Sequence, residues 1–133
     1  MKRGMITISE TGAVTVPDVP VWMTLPEVAE MLGVFECDVR RSIKSIYRNQ
    51  ELNEFETMKY VKQSDGISFD VYSLEMVMAV AFKIQSKKSR MLRQFLMKRL
   101  YLGKDGNAIP VYLVVYKDGS NRQGRNKGYI MYN

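Results

Sequence analysis

The chain has 133 residues, 46% apolar and 26% charged, with 20 Lys and Arg against 14 Asp and Glu. That length suits about one domain with a real core, and a net charge of +6 favours polyanionic partners. Histidine is absent and Cys37 is the single cysteine, which removes the commonest general base, the commonest zinc ligand and any internal disulfide. A non-enzyme without metal or cofactor is therefore expected.

Residues 5–16, MITISETGAVTV, alternate apolar and polar around a Thr-Gly turn and predict a β-hairpin. Pro17 and Pro20 bound an extended linker. Val21 and Trp22 are expected to pack under the first helix, with Trp22 as a core anchor. The N-terminus has no apolar run of the signal-peptide kind, and no stretch approaches the roughly 20 apolar residues of a spanning helix. A cytoplasmic protein without a membrane partner is expected.

Residues 24–48, TLPEVAEMLGVFECDVRRSIKSIYR, read as a helix-turn-helix. Thr24 is a good N-cap and Glu27, three residues later, completes a capping box. Leu25, Val28, Ala29 and Leu32 share one face, and Gly33 ends the helix by accepting a left-handed conformation. Val34 can plug the corner. Val39, Ile43 and Ile46 give the second helix a buried face at helical spacing. Opposite them stand Cys37, Arg41, Lys44 and Arg48, with Arg40 and Ser45 alongside. Such a ridge can enter the DNA major groove, with its flanking cations on phosphates. The plainer reading is a solvated basic face on a helical hairpin. Phe35 occupies the position where a hydroxyl cap often opens such a helix, and Glu36 and Asp38 place negative charge near its start.

Phe55–Lys62 is expected to be a strand. Gln63-Ser64-Asp65-Gly66 should be its turn, and Ile67, Phe69 and Val71 alternate along the returning strand. A hairpin after a helix-turn-helix is the layout of a wing, with Lys59, Lys62, Gln63 and Ser64 as reaching residues; a purely structural hairpin is the alternative. Ser73 should cap a helix, LEMVMAVAFKI, that is apolar around its circumference and expected to be buried. The chain bends at Gln85–Lys88, and Ser89–Leu102 forms a second helix. Its polar arc carries Lys87, Arg90, Arg93, Gln94 and Lys98, and its apolar arc Met91, Leu92, Phe95, Leu96, Leu100 and Leu102. Arg99 falls within the apolar arc and must snorkel, pair with an acid or lie where the helix frays. No acidic residue lies between Glu75 and Asp105. Lys87, Lys88, Arg90 and Arg93 accordingly join Cys37, Arg40, Arg41, Lys44, Ser45, Arg48, Lys59 and Lys62 as candidate DNA contacts. Residues 109–117, IPVYLVVYK, and 129–132 predict a C-terminal hairpin around a loop bearing Arg122, Arg125 and Lys127. The GKDGNA segment follows a helix and lacks the ending of a phosphate-binding loop.

Two segments resemble RhuM-type proteins, a virulence-associated bacterial group. WMTLPEVAEMLGVFECDVRRSIKSIYRNQEL, residues 22–52, is similar to the opening helix-turn-helix of that group. In residues 70–100, Tyr72-Ser73-Leu74-Glu75-Met76 stands at a Y-N-L-D-x phrase and Val80-Ala81-Phe82-Lys83-Ile84 at V-G-Y-R-V. Ser86-Lys87-Lys88 stands at S-K-R, and Arg93-Gln94-Phe95 near an F-R-x-W stretch whose tryptophan is missing here. A looser similarity extends to phage antirepressor domains of the Bro-N type. The resemblance implies a DNA-binding or regulatory protein of bacterial mobile elements.

The expectation is thus an α+β protein, a single domain over residues 1–133. It comprises a winged helix-turn-helix-like body at 22–102 and additional β-hairpins at the N- and C-termini, residues 5–16 and 109–132. Sequence-specific binding of double-stranded DNA by a transcriptional or mobile-element regulator is the leading function. A protein-interaction module docking an acidic partner is the alternative, RNA binding a weaker one, and a homodimer stays open.

Overall fold

The computed structural model describes residues 2–102 and the backbone of residues 111–116 and 127–132. The chain divides into two compact units, Met1–Gln94 and Phe95–Asn133, rather than clustering as one body. Among the described residues the fold is α+β, with five helices and seven short strands in three antiparallel sheets.

In the first unit, β1 (Thr7–Ile8) and β2 (Val14–Thr15) form the N-terminal hairpin. β3 (Trp22–Met23) leads into α1 (Leu25–Leu32). Thr24 caps α1 as expected: its side chain accepts from Glu27 N–H, and the Glu27 carboxylate accepts from Thr24 N–H at 2.7 Å. Gly33 closes the helix at φ 67° and ψ 39°, returning its N–H to the Ala29 and Glu30 carbonyls. A side chain would be strained there. α2 (Glu36–Arg48) follows, and its N-cap Phe35 makes no side-chain hydrogen bond to the first turn.

Phe55 does not begin a strand. Asn53 accepts from Phe55 N–H at 2.8 Å and caps a single turn, α3 (Glu54–Thr57), ahead of β4 (Met58–Lys62). The expected turn then forms, with Gln63 N–H on Ile67 O at 2.8 Å and Gly66 N–H on Gln63 O at 3.0 Å. β5 (Ser68–Ser73) returns between its neighbours, giving the strand order β3-β5-β4. α4 (Leu74–Lys83) and α5 (Lys87–Leu102) break at the expected place. In the second unit, β6 (Val111–Tyr116) pairs with β7 (Lys127–Tyr132) in a sheet of its own, with Val111 opposite Tyr132. The loop cations Arg122 and Arg125 lie outside the described residues.

The core of the first unit joins Val28, Ala29, Met31 and Leu32 of α1 to Val39, Ile43 and Ile46 of α2. Met76, Val77, Val80 and Ala81 of α4 and Leu92 of α5 complete it. α4 is buried on one face only, since Leu74 and Phe82 are exposed. Ser73 holds the N-cap position of α4, yet its hydroxyl makes no cap bond and is buried without a hydrogen-bond partner. Trp22 is not a core anchor. Strand alternation turns Val21 and Met23 inward instead, and half-buried Trp22 carries the Lys59 ammonium 4.3 Å from its ring centroid.

The N-terminal segment is tied to this body by backbone and by charge. Gly4 exchanges hydrogen bonds with Pro20 and Trp22, and a Cβ there would meet Pro17 and the Val19 carbonyl at 2.7 Å. Arg3 grips Glu27 with two nitrogens, at 2.8 and 3.2 Å, and donates to Trp22 O. Partial burial pushes the Glu27 pKa up, but hydrogen bonds from Arg3 and Thr24 outweigh it and leave the carboxyl below its ordinary value. A depressed carboxylate stabilises the fold above its unfolded pKa, and that contribution is lost as pH falls through the folded one. Glu27→Gln keeps the capping geometry but loses the ion pair. It should cost about 1–2 kcal/mol at pH 7. Urea melts from pH 7 to 3 should show the difference from wild type shrinking as the pH drops below the usual Glu range.

Candidate nucleic-acid interface

α2 separates its duties by face. Val39 and Ile46 are 0% exposed and Ile43 5%. At helical spacing this sets Cys37, Arg41, Lys44 and Arg48 on the far side, and all four are exposed. Arg41 reaches Asp38 one turn back at 3.3 Å. Its side chain is 75% exposed, so the pair is a weak surface one that an incoming phosphate or base can replace. It also neutralises one of the two acids at the start of the helix. Arg40 is exposed, whereas Ser45 is half-buried on a flank, with Asn49 Nδ2 at 3.5 Å from its hydroxyl.

Arg40 and Lys44 overlook a groove of about 540 Å³ between α2 and the sheet. Met58, Phe69 and Tyr72 are among the apolar residues that line it, and Glu54 and Asp70 line it as well. Burial holds Tyr47 and Tyr72 above the ordinary phenol range, and the nearby Asp70 and Glu54 carboxylates add to the effect. Both therefore stay neutral hydrogen-bond donors at neutral pH. Thr57 donates its hydroxyl proton to Asn53 O at 2.8 Å, so Tyr47 is the donor in its 2.8 Å bond to Thr57. That bond locks the C-terminal half of α2 to α3.

Lys59 and Lys62 are exposed on β4, Lys62 as its last residue directly before the turn, and Lys59 is held over Trp22. The start of α5 is fastened to the corner between α1 and α2. Ser86 accepts from Ser89 N–H at 3.0 Å and donates to Leu32 O, the end of α1, at 2.7 Å. The Ser89 hydroxyl is buried, accepts from Ser86 N–H at 2.9 Å and donates to Ile84 O at 2.8 Å. Exposed Lys87 and Arg90 are thereby presented beside the glycine corner. Lys88 is less free: its stem lies over Gly33 and its ammonium is 3.7 Å from Glu10.

Arg93 does not join this surface. Its Nη1 donates to Ala81 O at 3.0 Å, to Ile84 O at 3.3 Å and to Ser89 Oγ at 3.2 Å, closing the C-terminal end of α4. Arg99 is exposed and stacks on Phe95 at 5.0 Å. Phe35, absent from the sequence-derived set, stands 78% exposed at the start of α2. A large aromatic where a hydroxyl cap belongs is the signal that marks it.

No protein-family model, curated protein or solved structure matches this chain.

Arg93 and Arg90, three residues apart, should behave oppositely. Arg93→Ala leaves α4 carbonyls without their charged donor and should cost about 1–3 kcal/mol. Arg90→Ala should stay within about 0.5 kcal/mol. Urea denaturation midpoints at constant m-value read both.

Proposed function

We propose that this chain is a sequence-specific DNA-binding protein of winged helix-turn-helix type that acts as a regulator, in keeping with its likeness to mobile-element proteins. The observation that carries the reading is α2. A helix entered through a glycine corner buries Val39, Ile43 and Ile46 fully on one side and presents Arg41, Lys44 and Arg48 on the other. The connectivity supports it. The run β3-α1-α2-α3-β4-β5, with β3 hydrogen-bonded to β5, matches, apart from the single turn α3, the order in which a winged helix lays its sheet beside the recognition helix. The β4–β5 turn at residues 63–66 then serves as the wing, and Lys62 contacts the backbone. No helix among the described residues is long and apolar enough to cross a membrane.

The charges divide by task. In this reading Arg41 and Lys44 read base edges, and Arg40, Arg48 and Lys62 hold phosphates, which position without specifying. The same exposed cations suit the alternative reading, an acidic protein partner, so the decisive property is discrimination among DNA sequences.

With about five phosphates neutralised, log affinity for duplex DNA should fall against log salt with a slope near −4.5. Arg41→Ala should lower affinity for a selected site by about 1–3 kcal/mol and leave random duplex nearly unchanged, whereas Lys62→Ala should weaken both alike. Fluorescence anisotropy over a salt series measures all three. Equal loss on both duplexes for Arg41→Ala removes its reading role, and no duplex binding at about 50 mM salt removes the proposal.

A further inference from the structure

Phe35 costs the fold twice. As N-cap of α2 it has the extended backbone of a cap, φ −76° and ψ 150°, but its side chain offers no acceptor to the orphan N–H groups of the first turn, and Asp38 N–H is left to the Phe35 carbonyl at 3.1 Å. Ser, Thr, Asp or Asn at that position would stabilise the helix by accepting one of those N–H groups. Its ring is also 78% exposed, so it returns little burial energy. Neighbouring Val34 packs on the core and needs no help from the ring. A residue that serves neither cap nor core is explained by a contact outside the molecule.

The surroundings specify that contact as nucleic acid rather than an apolar protein surface. The ring precedes the helix bearing Arg40, Arg41, Lys44 and Arg48, all exposed. It follows the corner to which Ser86 fastens the start of α5, with exposed Lys87 and Arg90. Of the two acids in the first turn, Asp38 is paired with Arg41. An apolar group at the leading end of a cationic recognition helix meets one apolar feature in a major groove, the thymine 5-methyl group. We propose that Phe35 is a specificity-determining residue that packs on a thymine methyl. The assignment rests on the DNA-binding reading above and deepens it.

The test removes one methyl at a time. A duplex selected from random sequence for tight binding is compared with copies in which each thymine in turn is replaced by deoxyuridine. Burial of one methyl-sized group corresponds to about a fourfold change in affinity, and at least one replacement should weaken wild-type binding by that factor. Phe35→Ala should bind that copy and the parent equally. Its salt slope should match wild type, because the phosphate contacts remain, and so should its thermal melt, because the ring is exposed. Phe35→Leu, which keeps an apolar tip, should retain part of the preference for thymine. A wild type indifferent to every replacement, or a Phe35→Ala protein as methyl-sensitive as wild type, overturns the assignment while leaving salt-dependent binding to the parent duplex intact. Loss of all duplex binding by wild type overturns both readings.

Discussion

Gly33 sits at φ 67°, and the architecture around α2 depends on that one backbone conformation. A left-handed residue lets Gly33 and Val34 return their N–H groups to the last turn of α1 and sends the chain off in a new direction within two residues. The turn brings Val28 and Leu32 against Val39, Ile43 and Ile46, and α4 closes over them with Met76, Val77 and Val80. The corner holds more than two helices. Ser86 binds the Leu32 carbonyl, and the Lys88 stem covers Gly33 itself, so the start of α5 is fixed to the same point. Three elements thus share one junction, and the exposed cations of α2 and α5 take their positions from it.

Because folding is carried by the buried faces, the outward side of α2 is free of structural duty. Arg41, Lys44 and Arg48 are exposed, and the Arg41–Asp38 pair is too exposed to be worth much. The contrast with other charged groups is sharp. Arg3 and Glu27 join the N-terminal segment to the head of α1 through two hydrogen bonds. Arg93 closes the end of α4. Both arginines are half-buried, and their charge is spent on the fold. Net charge alone therefore overstates the free cationic surface; what matters is which cations are exposed and presented together.

Local chemistry was legible in the sequence. The Thr24–Glu27 capping box, the glycine corner, the buried spacing of α2 and the Asp65-Gly66 turn involve residues a few positions apart, and they formed as read. The β-hairpins at both ends were legible from alternation, with β6 and β7 shifted by a residue or two. Contacts between distant residues were not legible. Nothing local tells that Arg93 turns to carbonyls 9 and 12 residues back, or that Ser86 reaches Leu32 across 54 residues. Trp22 was misplaced because strand alternation, set by pairing with β5, decided which of Val21, Trp22 and Met23 faces inward. The α3 turn was hidden because the Asn53 cap outweighed the strand-like FETMKYVK pattern. Phe35 was visible only as a missing hydroxyl; its exposure identified it as a surface residue.

The central claim is that α2 reads DNA sequence from the glycine corner. Selection of bound duplexes from a random pool, followed by sequencing, addresses it directly. The account predicts a short enriched motif with wild type and a much flatter one with the stripe neutralised by Arg41→Gln and Lys44→Gln. An unenriched pool with wild type, or the same motif with the stripe neutralised, would contradict it.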